Sequence, residues 1–179
     1  MKKVALILAD GFEEIEAITP IDVLRRAGFT CEILGLTSRS VRGSHDIVIQ
    51  ADSLFMGDLS GYDAVVLPGG MPGTQHLRAH DGLIAALQEA EGQGLLLAAI
   101  CAAPLVLDRA GLLENRRFTC YPGQIEHIQS GVYCPEDVVQ DGLIVTSRGA
   151  GTSLAFAYWL VECLGGDAEQ LAKSMVYTD

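Results

Sequence analysis

Positive charge is scarce in this chain. Twelve Lys and Arg stand against 23 Asp and Glu, for a formal net charge of −11. A phosphate backbone would be repelled by such a surface, which argues against nucleic acid as a partner. The two arginine pairs do not change this: Arg25-Arg26 suits a helix C-terminus and Arg116-Arg117 a solvated turn. No apolar run reaches the roughly 20 residues of a membrane-spanning helix. The apolar start at residues 4–9 is too short for a secretory leader and is stopped by Asp10-Gly11. It reads as a first strand, and a cytoplasmic location with no membrane partner is expected. There is no Cys-x-x-Cys and no Cys/His cluster at zinc spacing, and the five cysteines are odd in number and far apart. A disulfide framework and a structural metal are therefore not expected. No Gly-Lys-Ser or Gly-Lys-Thr follows a glycine-rich stretch, so a Walker phosphate loop is absent. Repeats, low-complexity runs and linkers are absent as well. The 179 residues are read as one domain spanning 1–179.

Glycine, by contrast, is plentiful at 20 residues, so tight turns and close backbone approaches are expected. Apolar strands are read at 3–9, 29–36, 64–67 and 95–100, with short strands around 41–42 and 47–49. Asp141-Gly142 between 138–140 and 143–146 marks a hairpin. Helices are read from Glu13 to Gly28, over 81–91, from Pro104 to Gly111, over 154–164 and over 167–174. Pro20 should bend or restart the first of these. Residues 118–122 read as a short strand ending at Pro122. Strands alternating with helices imply an α/β sandwich with a mainly parallel sheet, whose site lies at the carboxyl ends of the strands.

Three such ends are chemically distinctive. The run at 95–100, apolar on both faces, is followed by Cys101-Ala102-Ala103-Pro104. A buried strand turning sharply into a helix, with a nucleophile at the corner, is the arrangement of a nucleophile elbow. The helix N-terminus would favour thiolate over thiol. A cysteine in an apolar run is also commonly just a small buried hydrophobe. Gly69-Gly70 follows the 64–67 strand and reads either as a turn or as a source of free N–H groups for an oxyanion. Gly149-x-Gly151 is weaker evidence of the same kind and is read as close helix packing. Glu13, Glu14 and Glu16 follow the first strand and read most simply as a solvated helix start. At about 100° per residue, however, Glu16 lies roughly 200° around from Glu14. One of the three could face inward and hold a proton beside a thiolate.

Four segments together carry a resemblance: Ala-Asp-Gly-Phe-Glu-Glu-Ile-Glu-Ala at 9–17, Val-Val-Leu-Pro-Gly-Gly at 65–70, Ala-Ile-Cys-Ala-Ala-Pro at 99–104 and Thr-Ser-Arg-Gly-Ala-Gly-Thr-Ser at 146–153. In order and spacing the chain resembles the DJ-one/ThiJ/PfpI family over nearly its whole length. The resemblance implies a flavodoxin-like three-layer sandwich with a strained cysteine elbow, and a homodimer. It implies Cys101 as the reactive centre, Glu16 as the acid bonded to it, and Gly70 and Ala102 as oxyanion donors. It implies a cofactor-free glyoxalase III or deglycase acting on methylglyoxal-like 2-oxoaldehydes or early glycation adducts. A second reading is an oxidative-stress sensor or redox-regulated chaperone working through Cys101 oxidation. The chain departs from the family in two places. Tyr121 stands where one branch has a histidine, so a third site residue there would be a phenol, a poor base near neutrality. Ala102-Ala103 replaces the His-Gly of the protease branch, which argues against peptidase activity. His45, His76, His80 and His127 lie outside the motifs, although His76 and His127 could approach the site. Cys120 is read as buried, or as a second thiol near Cys101. Cys31 and Cys163 are read as structural.

Overall fold

The computed structural model describes residues 1–177, so the last two residues of the 1–179 span lie outside the described residues. The chain runs β1 (Lys3–Leu8), α1 (Glu14–Arg26), β2 (Thr30–Gly35), β3 (Ser40–Arg42), β4 (Val48–Gln50), β5 (Ser53–Leu54) and β6 (Ala64–Leu67). It continues α2 (Gly73–Ala79), α3 (Asp81–Gly92), β7 (Leu96–Ile100), α4 (Pro104–Arg109), β8 (Arg117–Phe118) and β9 (Val132–Tyr133). It closes with β10 (Val138–Asp141), β11 (Ile144–Ser147), α5 (Ser153–Cys163) and α6 (Ala168–Ser174).

A seven-stranded sheet in the order β10-β11-β7-β6-β1-β2-β5 forms the middle layer. All its pairings are parallel except the β10–β11 hairpin, which Asp141-Gly142 turns as expected. Alternate strand residues feed two cores. Ala5, Ile7, Val65, Leu67, Leu97 and Ala99 face α2, α3 and α4. Val4, Leu6, Leu8, Val66, Ala98 and Ile100 face α1 and α5. Both faces are covered, which is why the central strands are continuous apolar runs. This is the flavodoxin-like α/β sandwich. The register sets Leu6 beside Val66 and Leu67 beside Ala99, so β1, β6 and β7 end side by side. The chain leaves β1 for β2 on one flank and later returns to β6 on the other. A crevice therefore opens at their carboxyl ends.

Three local readings change. Helix α1 does not restart at Pro20; it is one element from Glu14 to Arg26. Proline removes only the bond to the Glu16 carbonyl, and the buried face of Ala17, Ile21 and Leu24 holds the rest against α5. Helix α2 was hidden in the sequence, because it starts after Pro72 with no side-chain cap. The strand expected over 118–122 shortens to β8. Beyond Phe118, the Thr119 N–H donates to the Thr146 hydroxyl at 2.8 Å and the chain leaves the ladder.

Candidate active site

At the end of β7 the chain folds back on itself within one residue. Cys101 has φ +65°, in the left-handed region that costs a non-glycine residue conformational energy. Neighbouring segments hold it there. The Cys101 N–H donates to Ser147 O at 3.0 Å, and its carbonyl accepts the Tyr121 N–H at 2.8 Å. Pro104 opens α4 just beyond, and Ala102 and Ala103 are buried small residues that let the turn close. The elbow expected from residues 99–104 is present. Helix α4 is six residues long, so its dipole is a smaller influence on the sulfur than the specific N–H groups aimed at it. Those come from Ala102 and Gly70, both of which hydrogen-bond the sulfur.

The three acids of the first helix have three separate tasks. Glu13 caps the helix, its Oε2 accepting the Glu16 N–H at 2.9 Å. Glu14 turns toward the β3–β4 hairpin and buries its carboxylate there. Glu16, 1% exposed, points into the crevice, accepts the Gly69 N–H at 2.9 Å and hydrogen-bonds the Cys101 side chain. So two of the three acids are buried, not one, and the solvated-start reading fails for both. Gly69 is required by close packing. A Cβ there would lie 2.7 Å from Cys101 Cβ, 2.7 Å from Glu16 Oε2 and 2.8 Å from the Ile100 carbonyl. Gly70, at φ +91°, lets its N–H turn to the sulfur.

The pair cannot be doubly charged. Burial raises Glu16 from 4.5 to about 7, with the Glu13 charge adding to it and the Cys101 and Gly69 hydrogen bonds opposing it. Burial also raises the Cys101 thiol, and the Glu16 carboxylate raises it further, while the Ala102 and Gly70 N–H groups pull the other way. The two groups therefore share one proton around neutrality and titrate as a unit. Carboxylate with thiol and carboxylic acid with thiolate carry the same net charge. Two N–H donors aimed at sulfur against one on Oε2 lower the cost of moving the negative charge onto sulfur.

Tyr121 is half exposed, and its backbone link to Cys101 is its firmest tie to the centre. Its ring faces Gly149, where an added Cβ would lie 3.7 Å from the Tyr121 ring and 3.9 Å from Glu16 Oε1. A cavity of about 360 Å³ opens here, lined by Tyr121, Pro122, Arg148 and the 149–152 turn. The glycine-rich turn read as helix packing thus borders the site, and Arg148 was missed because a single arginine carries no spacing signal.

His76 instead bonds the Asp10 carbonyl at 2.8 Å, and His127 lies beside Glu126. His80 caps α3 by accepting the Leu83 N–H at 3.0 Å. All five thiols are free. Cys31 and Cys120 are buried, which pushes them up to about 12 and about 11. Cys163, read as structural, is only half-buried and lies 3.4 Å from Gln140 Oε1. Among the described residues, Glu13, Glu14 and His45 form the one set of acid and imidazole donors close enough to share a cation. The Glu14 oxygens are already taken by the His45 N–H, the His45 ring and Ser44. Among the described residues no helix is long and apolar enough to cross a membrane.

The chain matches the model of the DJ-1/PfpI family over residues 2–163. It is 39% identical to the Parkinson disease protein 7 homolog of Danio rerio, over 99% of this chain and 98% of that one. It is 31% identical to a protein of Pyrococcus abyssi named a deglycase, over 90% of this chain and 99% of that one. The solved structure of Drosophila melanogaster DJ-1beta superposes with a TM-score of 0.95 at 36% identity, covering 99% of each chain.

Proposed function

Since the chain belongs to the DJ-1/PfpI family, we propose that it is a cofactor-free enzyme of glyoxalase III or deglycase type, acting on 2-oxoaldehydes such as methylglyoxal or on early glycation adducts. The observation that carries this is Cys101 on a positive-φ elbow with the buried Glu16 carboxyl hydrogen-bonded to it. The deglycase name of the Pyrococcus relative supports the same class of substrate.

In this reading the Cys101 thiolate adds to the aldehyde carbon of methylglyoxal, and the carbonyl π electrons move to oxygen. The Gly70 and Ala102 N–H groups, released from sulfur as the C–S bond forms, stabilise that oxyanion. Glu16 donates its proton to the oxyanion and becomes the base. It then takes the proton from C1; the C1–H electrons become the C1=C2 bond, and the C2 carbonyl electrons move to its oxygen, which takes up the C1 hydroxyl proton to give the enediolate tautomer. As the C1 oxygen re-forms its carbonyl, the C1=C2 electrons take the proton back from Glu16 at C2, leaving a thioester of a 2-hydroxy acid. Water cleaves the thioester, giving lactate and free Cys101. No electron enters or leaves the site, since C1 is oxidised as C2 is reduced. In this reading the substrate would enter by the cavity that Tyr121, Arg148 and Gly149 line, where Gly149 approaches Glu16.

The test is lactate formation from methylglyoxal without glutathione. Wild type should turn over, Cys101→Ala should fall to background, and Glu16→Gln should lose at least about 100-fold in kcat/KM. Equal traces for wild type and Cys101→Ala overturn the reading. A sensor role through Cys101 oxidation is a second reading, favoured by the two N–H donors and the acid around sulfur, which suit a sulfinate. Peroxide treatment followed by mass spectrometry should find oxygen on Cys101 before Cys120. The protein is further proposed to act as a cytoplasmic homodimer.

A further inference from the structure

A second cavity, of about 400 Å³, lies between α5, β10, the start of α6 and the segment that follows it. Three aromatic side chains, Tyr158, Trp159 and Tyr177, form its walls, and two carboxylates, Asp137 and Glu162, stand at it. The small residues Ala155 and Ala168 leave its floor open. No Lys, Arg or His lines it among the described residues.

The walls are held in place before any ligand arrives. The Tyr158 and Tyr177 rings pack with centroids 4.9 Å apart and planes tilted by 51°. The Tyr158 hydroxyl donates to Met175 Sδ at 3.4 Å, and the Trp159 indole N–H donates to Gln140 Oε1 at 2.8 Å. Both polar handles are thus turned to protein. Of the neighbouring cations, Arg26 pairs with Asp22 at 2.7 Å, whereas Arg148 reaches the rim itself, 3.8 Å from Asp137, which leaves Glu162 as the rim carboxylate not ion-paired among the described residues. Ring faces attract cations through their quadrupole, and they do so best when the cation is weakly hydrated. A carboxylate rim adds Coulomb attraction without demanding a directional donor from the ligand.

We propose that this cavity is a binding site for a small organic cation with a quaternary ammonium head, seated against Tyr158, Trp159 and Tyr177 and neutralised by Glu162. The site is separate from Cys101 and does not depend on the dicarbonyl reading.

Trp159 is the one tryptophan of the chain, so its fluorescence reports on this cavity alone. The full-length protein is titrated with choline, with 3,3-dimethylbutan-1-ol as its uncharged isostere, and with sodium chloride at matched ionic strength. Choline should give a saturable change, the isostere should bind at least about 5-fold more weakly, and sodium chloride should give no saturable signal. Glu162→Gln, an exposed substitution, and Tyr177→Ala should each weaken choline about 3-fold or more, while Cys101→Ala should bind it as wild type does. The proposal is overturned if choline gives no saturable change, if the uncharged isostere matches it, or if both cavity variants bind choline with wild-type affinity. Loss of choline binding in Cys101→Ala would also overturn it, by assigning the signal to the other site.

Discussion

Gly69 has almost no space around it, and one methyl group there is a sharp probe of the centre. An added Cβ would meet Cys101, Glu16 and the Ile100 carbonyl at 2.7–2.8 Å, and backbone cannot step aside as a flexible side chain can. Gly69→Ala is expected to cost about 1–3 kcal/mol of stability. It should also lose at least about 100-fold in kcat/KM, because it separates the pair that shares the proton. Urea unfolding and the lactate assay check the two effects separately. Glu16 gives a pH-dependent expectation. Its folded-state value is raised from 4.5 to about 7. Below pH 4.5 the carboxyl is protonated in both states and its contribution to stability is fully present. As pH rises toward 7 the unfolded chain ionises first, so stability falls by about 3 kcal/mol and the loss is complete once the folded carboxyl has ionised. Glu16→Gln should lack this slope. Urea midpoints for both proteins between pH 5 and 8 decide the matter, and parallel curves would show that the carboxyl is not shifted. Cys101 and the inward Glu16 were legible because an apolar strand meeting Ala-Ala-Pro, and acids spaced by helical angles, are local patterns. The second buried acid, Glu14, was not legible, because its partners lie 30 residues away and no local pattern announces them.

Those partners make Glu14 the clasp between α1 and the β3–β4 hairpin. Its carboxylate accepts the His45 N–H at 2.6 Å and the His45 ring nitrogen at 2.8 Å, with the Ser44 hydroxyl at 3.3 Å. Burial alone would raise it, yet the His45 ring and backbone donors hold it below the usual carboxylate range. Gly43 is pressed against the same carboxylate, with no room for a Cβ. Glu14→Ala removes a charged acceptor and strands several donors, at a cost of about 3 kcal/mol. Hydrogen exchange should quicken first at the His45 and Ile47 amides, while the β6 and β7 amides stay protected. Uniform quickening across the sheet would mean that the hairpin is not a separate unit. The same contrast explains which elements could be read in advance. β1, β6 and β7 were plain as unbroken apolar runs, and α1 began at its acids and ended at Gly28. By contrast, α2 has neither a cap nor an apolar stripe of useful length. β5 has two residues, and its place at the sheet edge comes only from pairing with β2. The 118–122 segment looked like a strand by composition, but the Thr146 side chain takes the Thr119 N–H that a ladder would need.

At the scale of the whole molecule, the clasp carries an apolar surface with it. Ile15 and Ile18 on α1 are 53% and 42% exposed, and Ile47 and Val48 on the clasped hairpin are 51% and 49% exposed. Isolated exposed apolar residues are ordinary, but four on adjoining elements suit a partner face. The proposed homodimer would cover them. It must do so against repulsion, since each copy has a net charge of −11. Hydrophobic burial is insensitive to moderate salt, whereas the repulsion between copies is screened over about 10 Å at 0.1 M. Association should therefore tighten as salt is raised, the opposite of a dimer held by ion pairs. Coupling of association to folding makes the apparent Tm rise with protein concentration, by several degrees over about a 100-fold range. Ile47→Glu places a charge on the exposed face without entering the core. It should yield a monomer by sedimentation, with a Tm independent of concentration. A wild-type protein that sediments as a monomer at both low and high salt would remove the dimer. Wild-type association of Ile47→Glu would instead move the interface to another face.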